Sequence, residues 1–600
     1  MSKSKKFQKK KHKNKTYKGI LGILPLAAIL GILPLIVYMR VIPVEPELQS
    51  YWTDVNNVDF FHYYKSQFLV AMASITLIIL GFTGTFQWKV YKKYYILTGL
   101  LAVTAILSTI FTSTPAIATS GFYDRYEGIY ATLSYLVIFL GAMHLVNTEK
   151  QVKFLIGTLV ASATVMSFVG LSQFLNRDIF ATDFFRRLIL PREYHHIADE
   201  VSINFGARRI YGTLYNPNYV GSYVALMFPL GVVGIYYFKK LWQKSLAAVF
   251  IVLQLLLLLG SQSRAGFVGV AFSFLVLLLF YRKTLIAQWK QSLAAFLILL
   301  MGFVGVNTVT EGLTFDRIFD FSIGESRAYR NWGFEGIDAE DNELTLTMSG
   351  ESMTIEYIEG EPMAFYNESG EELSYSLNNE TQEVEFDNED LDSFDLALKQ
   401  YAEGLVVEQS IGSGRDLHFL ALSSGFYLLG PHGETPAYED VPSIGFENSG
   451  QFASGRGHIW SRTFPLLTET LLIGHGPDTF PLNFPQEDYI GKLKYHARTT
   501  IVVDKVHNMY LQSAVETGVL SALAMIILFG IYLWESTALY LHRKKESFIE
   551  ATGLILFIAT IGYLLAGIFN DSAVSVAPIF WILLGMGVAV NKTLEKEDTL

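Results

Sequence analysis

KSKKFQKKKHKNKTYKGILGILPLAAILGILPLIVYMRV, residues Lys3–Val41, sets the frame for the rest of the chain. Nine lysines between Lys3 and Lys18 run directly into an apolar stretch from Ile20 to Val41. A bilayer core about 30 Å thick is crossed by about 20 apolar residues at 1.5 Å rise each. The stretch is long enough and lacks a clear small-residue cleavage site, so it reads as a retained anchor. Eleven stretches of similar character follow: Phe68–Phe86, Tyr95–Phe111, Gly128–Val146, Phe154–Phe174, Tyr219–Phe238, Ser245–Gly260, Ala265–Phe280, Ser292–Val309, Val519–Trp534, Ala551–Phe569 and Ala573–Val590. The expected fold is an α-helical polytopic membrane protein with about twelve transmembrane helices.

Composition agrees. Of 600 residues, 51% are hydrophobic and 17% charged, against about 25% charged in soluble domains. There is no cysteine, which excludes disulfides, cysteine-ligated metal and a cysteine nucleophile. The net charge of −10 averages two unlike parts. Residues 335–450 hold 27 acidic and two basic side chains, whereas the rest of the chain has 44 basic and 29 acidic ones. An acidic, water-soluble insert therefore sits inside a basic, very apolar chain, a pattern that does not describe a nucleic-acid-binding protein.

Lysine sets the orientation. With the N-terminus inside, the tail, the loops 87–94, 147–153, 239–244, 281–291 and 540–547 and the C-terminus hold 23 Lys and 2 Arg. Everything else holds 5 Lys and 16 Arg. Both termini are then cytoplasmic and the acidic insert lies outside. The expected organisation is a basic tail (1–18), nine helices (19–309) with an Arg-rich outer loop at 175–218, and an outer loop (310–341). After these come the acidic β-rich insert (342–450), an outer loop and re-entry segment (451–518), three helices (519–590) and a short tail (591–600). The insert alternates apolar and polar residues in LTLTM, MTIEYIEG, ELSYSL, EVEF, HFLAL and GFYLL, as short antiparallel strands do. Asp387, Glu389, Asp390, Asp392 and Asp395 form an acidic run without a calcium-loop pattern, and read as a solvated surface.

The outer basic residues are mostly arginine, whose rigid fork of donors suits phosphate. The loop 175–218 carries Arg177, Arg186, Arg187, Arg192, Arg208 and Arg209 and no lysine. Each alone also fits a lipid headgroup or a local acid. Histidine joins arginine where the long outer segment returns to the membrane, at Gly455-Arg456-Gly457-His458, Gly474-His475-Gly476-Pro477-Asp478-Thr479-Phe480 and Val506-His507-Asn508, the last opening the tenth membrane helix. Ionisable groups at that depth are costly and mark function by default.

Together with Arg209-Ile210-Tyr211-Gly212-Thr213-Leu214-Tyr215-Asn216-Pro217-Asn218 and Ser261-Gln262-Ser263-Arg264-Ala265-Gly266, these motifs make the chain from about 204 to 590 resemble the O-antigen ligase and polymerase family. The acidic insert lies outside the resemblance. The resemblance implies a membrane glycosyltransferase of the C type. Such an enzyme moves a glycan from a polyprenyl diphosphate to an acceptor hydroxyl outside the membrane, with no metal or cofactor. The implied partners are the lipid-linked glycan donor, a glycan or cell-surface acceptor, and membrane lipid.

Metal-free departure of a diphosphate calls for arginines in a poorly solvated pocket, each worth about 3 kcal/mol. Arg264 and Arg209 match the family's arginines, with Arg208 one residue of slip away. His507 matches the family's base, since imidazole accepts protons near neutral pH; His475 is its rival and His458 the third choice. Arg208, Arg456, His475 and Asn218 are the expected substrate-binding residues. Arg456 fits either acceptor binding or loop anchoring, and Asn218 is the expected N-cap that aims Arg209. Asn570-Asp571-Ser572 reads as a plain loop. Ligase and polymerase share these motifs. A multi-pass transporter or flippase of lipid-linked glycan is the alternative, and a membrane sensor a more distant one.

Overall fold

The computed structural model describes residues 19–44, 55–83, 86–201, 203, 205–287, 289–319, 334–387, 391, 393–401, 404–410, 416–430, 441–446, 449–496, 501–543 and 547–598. Most of them are helical. The helices are α1 (Leu24–Gly31), α2 (Tyr63–Thr83), α3 (Trp88–Phe111), α4 (Pro115–Ser120), α5 (Ile129–Leu145), α6 (Glu149–Phe174), α7 (Asp183–Ile189), α8 (Pro217–Tyr237), α9 (Leu241–Ser261), α10 (Arg264–Ala287), α11 (Trp289–Val309) and α12 (Leu313–Phe319). After the insert come α13 (Phe452–Thr463), α14 (Phe480–Asn483), α15 (Tyr489–His496), α16 (Met509–Glu516), α17 (Val519–His542), α18 (Phe548–Ala566) and α19 (Ala577–Asp598).

Among the described residues, nine helices are long and apolar enough to cross a membrane: α2, α3, α6, α8, α9, α10, α17, α18 and α19. The apolar helical stretches Ile20–Leu35, Ile129–Leu145 and Leu299–Val309 are shorter. In the first of these, the regular helix gives way after Gly31 to a tight turn holding Pro34, which has no N–H to continue the ladder. α18 and α19 lie at the centre of the body, buried over most of their length, with α8, α10, α17 and α5 packed around them.

Helix starts follow local chemistry. Thr148 and Gln151 form a capping box on α6, as do Ser547 and Glu550 on α18. α8 is capped by Asn216, whose side chain accepts the Asn218 N–H at 2.9 Å, not by Asn218 as expected. Pro217 explains the shift: its fixed φ and missing N–H suit the first helical position, which leaves the residue before it as the cap. The expected tenth membrane helix is also divided. α16 is a separate short helix, and Gly518 at φ +105 breaks the chain before α17 begins.

The strands β1 (Arg40–Pro43) and β2 (Asn56–Asp59) pair antiparallel ahead of α2. The insert starts earlier than expected, at β3 (Phe334–Glu340), with β4 (Glu343–Met348), β5 (Glu351–Glu356) and β6 (Ala364–Asn367) forming one antiparallel meander. The short pair β7 (Tyr375–Leu377) and β8 (Val384–Phe386) links it to a second meander of β9 (Asp395–Gln400), β10 (Leu405–Ser410), β11 (Asp416–Leu422) and β12 (Gly425–Leu428). Alternate residues such as Leu344, Leu346, Ile355, Leu396, Val407 and Phe419 build one core from both sheets. Tyr489 and Leu493 of α15 complete that core. Of the acidic run, Asp395 lies on β9, while Glu389, Asp390 and Asp392 fall outside the described residues.

α8 and α10 cross with almost no space between them. A Cβ on Gly266 would stand 2.4 Å from the Gly221 Cα, and one on Gly221 would meet Ser263 Oγ at 2.3 Å. Small residues allow such approaches between membrane helices. The obstacle to Gly266 is backbone, which cannot rotate aside, so Gly266→Ala is expected to lower stability by about 1–3 kcal/mol. A fall in the thermal midpoint of the detergent-solubilised protein would be the readout; an unchanged midpoint would refute the close crossing.

Candidate active site

Three distant segments meet at one end of the helical body around Arg125. The loop between α4 and α5 carries Arg125, whose Nε donates to Asp478 Oδ1 and whose Nη1 donates to Asp571 Oδ2 at 3.2 Å. Glu127 lies 3.5 Å from Nη2. Asp478 Oδ2 also accepts the backbone N–H groups of Phe122 and Glu127 at 2.7 and 2.9 Å. Arg125 is buried, which disfavours its charge, but Asp478, Glu516, Asp571 and Glu127 outweigh that and hold the guanidinium above its ordinary value. Burial pushes the Glu127 carboxyl up to about 7, with Arg125 and the Tyr135 and Ser572 hydroxyls opposing, so the cluster carries less negative charge than its acids suggest.

The turn Gly474–Phe480 thus contributes Asp478, at φ +63, rather than His475. His475 donates its N–H to Val515 O at 3.0 Å, and its ring lies 3.6 Å from the exposed Glu469. The turn brings Asp478 into the cluster, while the His475 Nε2 is buried without a hydrogen-bond partner among the described residues.

Asp571 is the second anchor. It sits in the short link between α18 and α19, accepts the Tyr219 hydroxyl at 2.7 Å through Oδ2, and lies 3.3 Å from His507 Nδ1 through Oδ1. Burial opposes its charge, but His507, Lys505 and Arg125 hold its carboxyl well below the usual carboxylate range. The reading of Asn570-Asp571-Ser572 as a plain loop is therefore corrected. Asn570 ties the link to α8, donating to Asn218 O at 3.1 Å and Ser222 Oγ at 2.8 Å, and Ser572 donates to Glu127 at 2.9 Å. Asn218 thus serves the site through its backbone carbonyl.

His507 is placed by the start of α16. Asn508 caps that helix by accepting the Tyr510 and Leu511 N–H groups, and the Met509 N–H bonds Gly567 O and Asn570 O, each at 2.9 Å. The Trp460 indole holds Val506 O at 2.9 Å from the other side. His507 takes φ +57, a conformation that costs a non-glycine residue and recurs at functional sites. Its side chain is 24% exposed. Burial pushes its imidazole below the ordinary value, with Asp571 pulling up and Arg456 and Lys505 pushing down. The balance favours the neutral imidazole.

Arg456 and Arg264 complete this neighbourhood. The Arg456 Nη1 donates to Ala453 O at 2.6 Å, and its Nε is buried without a hydrogen-bond partner among the described residues. Burial pushes the guanidinium down to about 10, with Asp571 raising and Arg264 lowering it, so it stays charged but poorly compensated. Arg264 opens α10, its Nη1 3.4 Å from Ser454 Oγ. Arg209 precedes Ile210, whose N–H bonds Gly260 O at 2.9 Å and so ties the arginine loop to the end of α9. Arg208 takes φ +58 with its N–H on Asn176 Oδ1 at 2.9 Å, and is half-buried. His458 is fully buried between Asp488 and His496.

Asp571, Arg125 and Tyr219 escaped the sequence reading. The signal for Asp571 and Arg125 was there: each is an ionisable residue in a short link between apolar helices, and such residues are retained when paired or functional. No family model, no curated protein and no solved structure matches this chain.

Removing Arg125 leaves buried carboxylates without their cation. Breaking a buried pair in this way costs about 3–5 kcal/mol. Arg125→Met is expected to give little folded protein in membranes, and Arg125→Lys to recover part of it; a normal yield and thermal midpoint for Arg125→Met would contradict the cluster.

Proposed function

We propose that this chain is a membrane glycosyltransferase of the O-antigen ligase and polymerase type, acting on a glycan carried by a polyprenyl diphosphate. The observation that carries the reading is His507 Nδ1 at 3.3 Å from Asp571 Oδ1, with Arg456 and Arg264 in the same electrostatic neighbourhood. Asp571 fixes the imidazole so that Nε2 faces substrate, and stabilises the imidazolium that forms, as carboxylates do for catalytic histidines. The acceptor hydroxyl oxygen bonds to the anomeric carbon as its proton passes to His507 Nε2. The bond from that carbon to the phosphate oxygen breaks, and the leaving diphosphate keeps the electron pair. Arg264, Arg456 and Arg209 take up that charge in a site where fixed donors act more strongly than water. The unpartnered Nε of Arg456 supports this role, since a diphosphate oxygen would satisfy it.

The reading includes sidedness. The chain crosses the cytoplasmic membrane twelve times, with Lys-rich ends inside and the site and acidic insert outside. Because the sequence has no cysteine, single cysteines report this directly. An impermeant maleimide added to intact cells is expected to label Ser369→Cys and not Lys240→Cys; the reverse pattern would invert the topology.

In cells carrying His507→Ala at normal membrane level, lipid-linked glycan is expected to accumulate and surface polymer to fall by about 100-fold or more. Undiminished polymer would remove His507 as base. An untouched precursor pool with lost polymer would favour a transporter.

A further inference from the structure

His496, the last residue of α15, has no part in the steps above, yet its ring is held by a directional chain of bonds. Asp488 Oδ2 accepts from His458 Nε2 at 2.8 Å and from Arg462 Nε at 2.9 Å, while Oδ1 accepts the Gly491 N–H at 2.8 Å. A carboxylate with three donors stays ionised: against burial, His458 and Arg462 hold it down to about 2. Ionised Asp488 only accepts, so the proton of neutral His458 is on Nε2 and its lone pair on Nδ1. That Nδ1 lies 3.0 Å from His496 Nε2. His496 must therefore donate from Nε2, which leaves Nδ1 as an acceptor atom.

That atom lies against the turn that leads into Arg456. A Cβ on Gly455 would stand 2.8 Å from His496 Nδ1 and 2.5 Å from Cε1, so this edge of the half-buried ring lies over the Gly455 turn. The turn is three successive left-handed residues, Ala453, Ser454 and Gly455, strained backbone of the kind that persists at functional sites. It carries the Ser454 hydroxyl beside Arg264 and leads into Arg456. His507 is near enough to bear on the charge of His496, and burial together with His458, His507 and Lys492 keeps that ring neutral, down to about 3.

We propose that His496 Nδ1 binds a sugar hydroxyl of the acceptor glycan, with His458 and Asp488 as positioning residues that fix its tautomer. The assignment rests on the glycosyl-transfer reading. A neutral ring presenting only a lone pair repels the diphosphate, which is itself all acceptor, and suits a hydroxyl, which donates. His507 takes the proton of the reacting hydroxyl while His496 holds the sugar that carries it.

His496→Gln separates this role from a structural one, because the glutamine amide still donates toward His458 while the acceptor atom is lost. At normal membrane level it is expected to lower surface polymer about tenfold and to raise the lipid-linked pool, the scale of one lost neutral hydrogen bond. His496→Asn, whose amide oxygen stands near the former Nδ1, is expected to recover part of the activity. In the wild-type protein the chain puts the proton of His496 on Nε2 and leaves Nδ1 bare. Nitrogen-15 spectra of histidine-labelled protein in detergent read that tautomer, with His496→Asn identifying the resonance. Normal polymer in His496→Gln, beside precursor accumulation in His507→Ala, would overturn the role of His496 alone; an untouched precursor pool in both would overturn the enzyme reading. If His496→Gln does not reach the membrane, a wild-type His496 whose proton is on Nδ1 overturns the relay.

Discussion

A buried guanidinium with carboxylates on two sides is the constraint around which this site is built. Arg125 reaches Asp478 and Asp571, residues hundreds of positions away in the chain. Taking such charges out of water is expensive, and the interaction repays that cost only when geometry is close and the remaining lone pairs are used. Here they are used. Asp478 accepts two backbone N–H groups as well, and Asp571 accepts a tyrosine hydroxyl and approaches a histidine. The arrangement therefore tolerates little movement of the α4–α5 loop, the glycine turn or the α18–α19 link relative to one another.

This rigidity bears on chemistry through Asp571. One of its oxygens is committed to Arg125 and Tyr219, and the other is left for His507. A carboxylate fixed in that way stands 3.3 Å from the imidazole Nδ1. On the opposite flank, Arg264 opposes the charge of Arg456 while Asp571 favours it, and Arg264 Nη1 lies 3.4 Å from the Ser454 hydroxyl.

Much of this was legible in the sequence. Apolar runs and the alternating pattern of the acidic stretch announced helices and strands, because each is a property of composition over many residues. His507, Arg264 and Arg456 were legible as members of motifs. Pairings were not. Asp571 looks like any loop acid until Arg125 and Tyr219 are brought to it, and no local pattern reveals a partner hundreds of residues distant. In the glycine turn the eye goes to His475, whereas the structure uses Asp478, three residues on. The cap of α8 at Asn216 and the break at Gly518 are errors of another kind. There the local rules for proline at the first helical position and for positive-φ glycine were sufficient, and were outweighed by the apolar pattern around them.

The insert offers a last consequence. Its hydrophobic core is not closed by its own strands, since Tyr489 and Leu493 from α15 fill it. The same helix supplies Asp488's neighbour Gly491 and ends at His496. Apolar burial is cooperative, so the two sheets and α15 belong to one unfolding unit, distinct from the membrane-type helices. Anything that strains or steadies the sheets is therefore felt as a change in the local stability of the helix that ends beside the Gly455 turn.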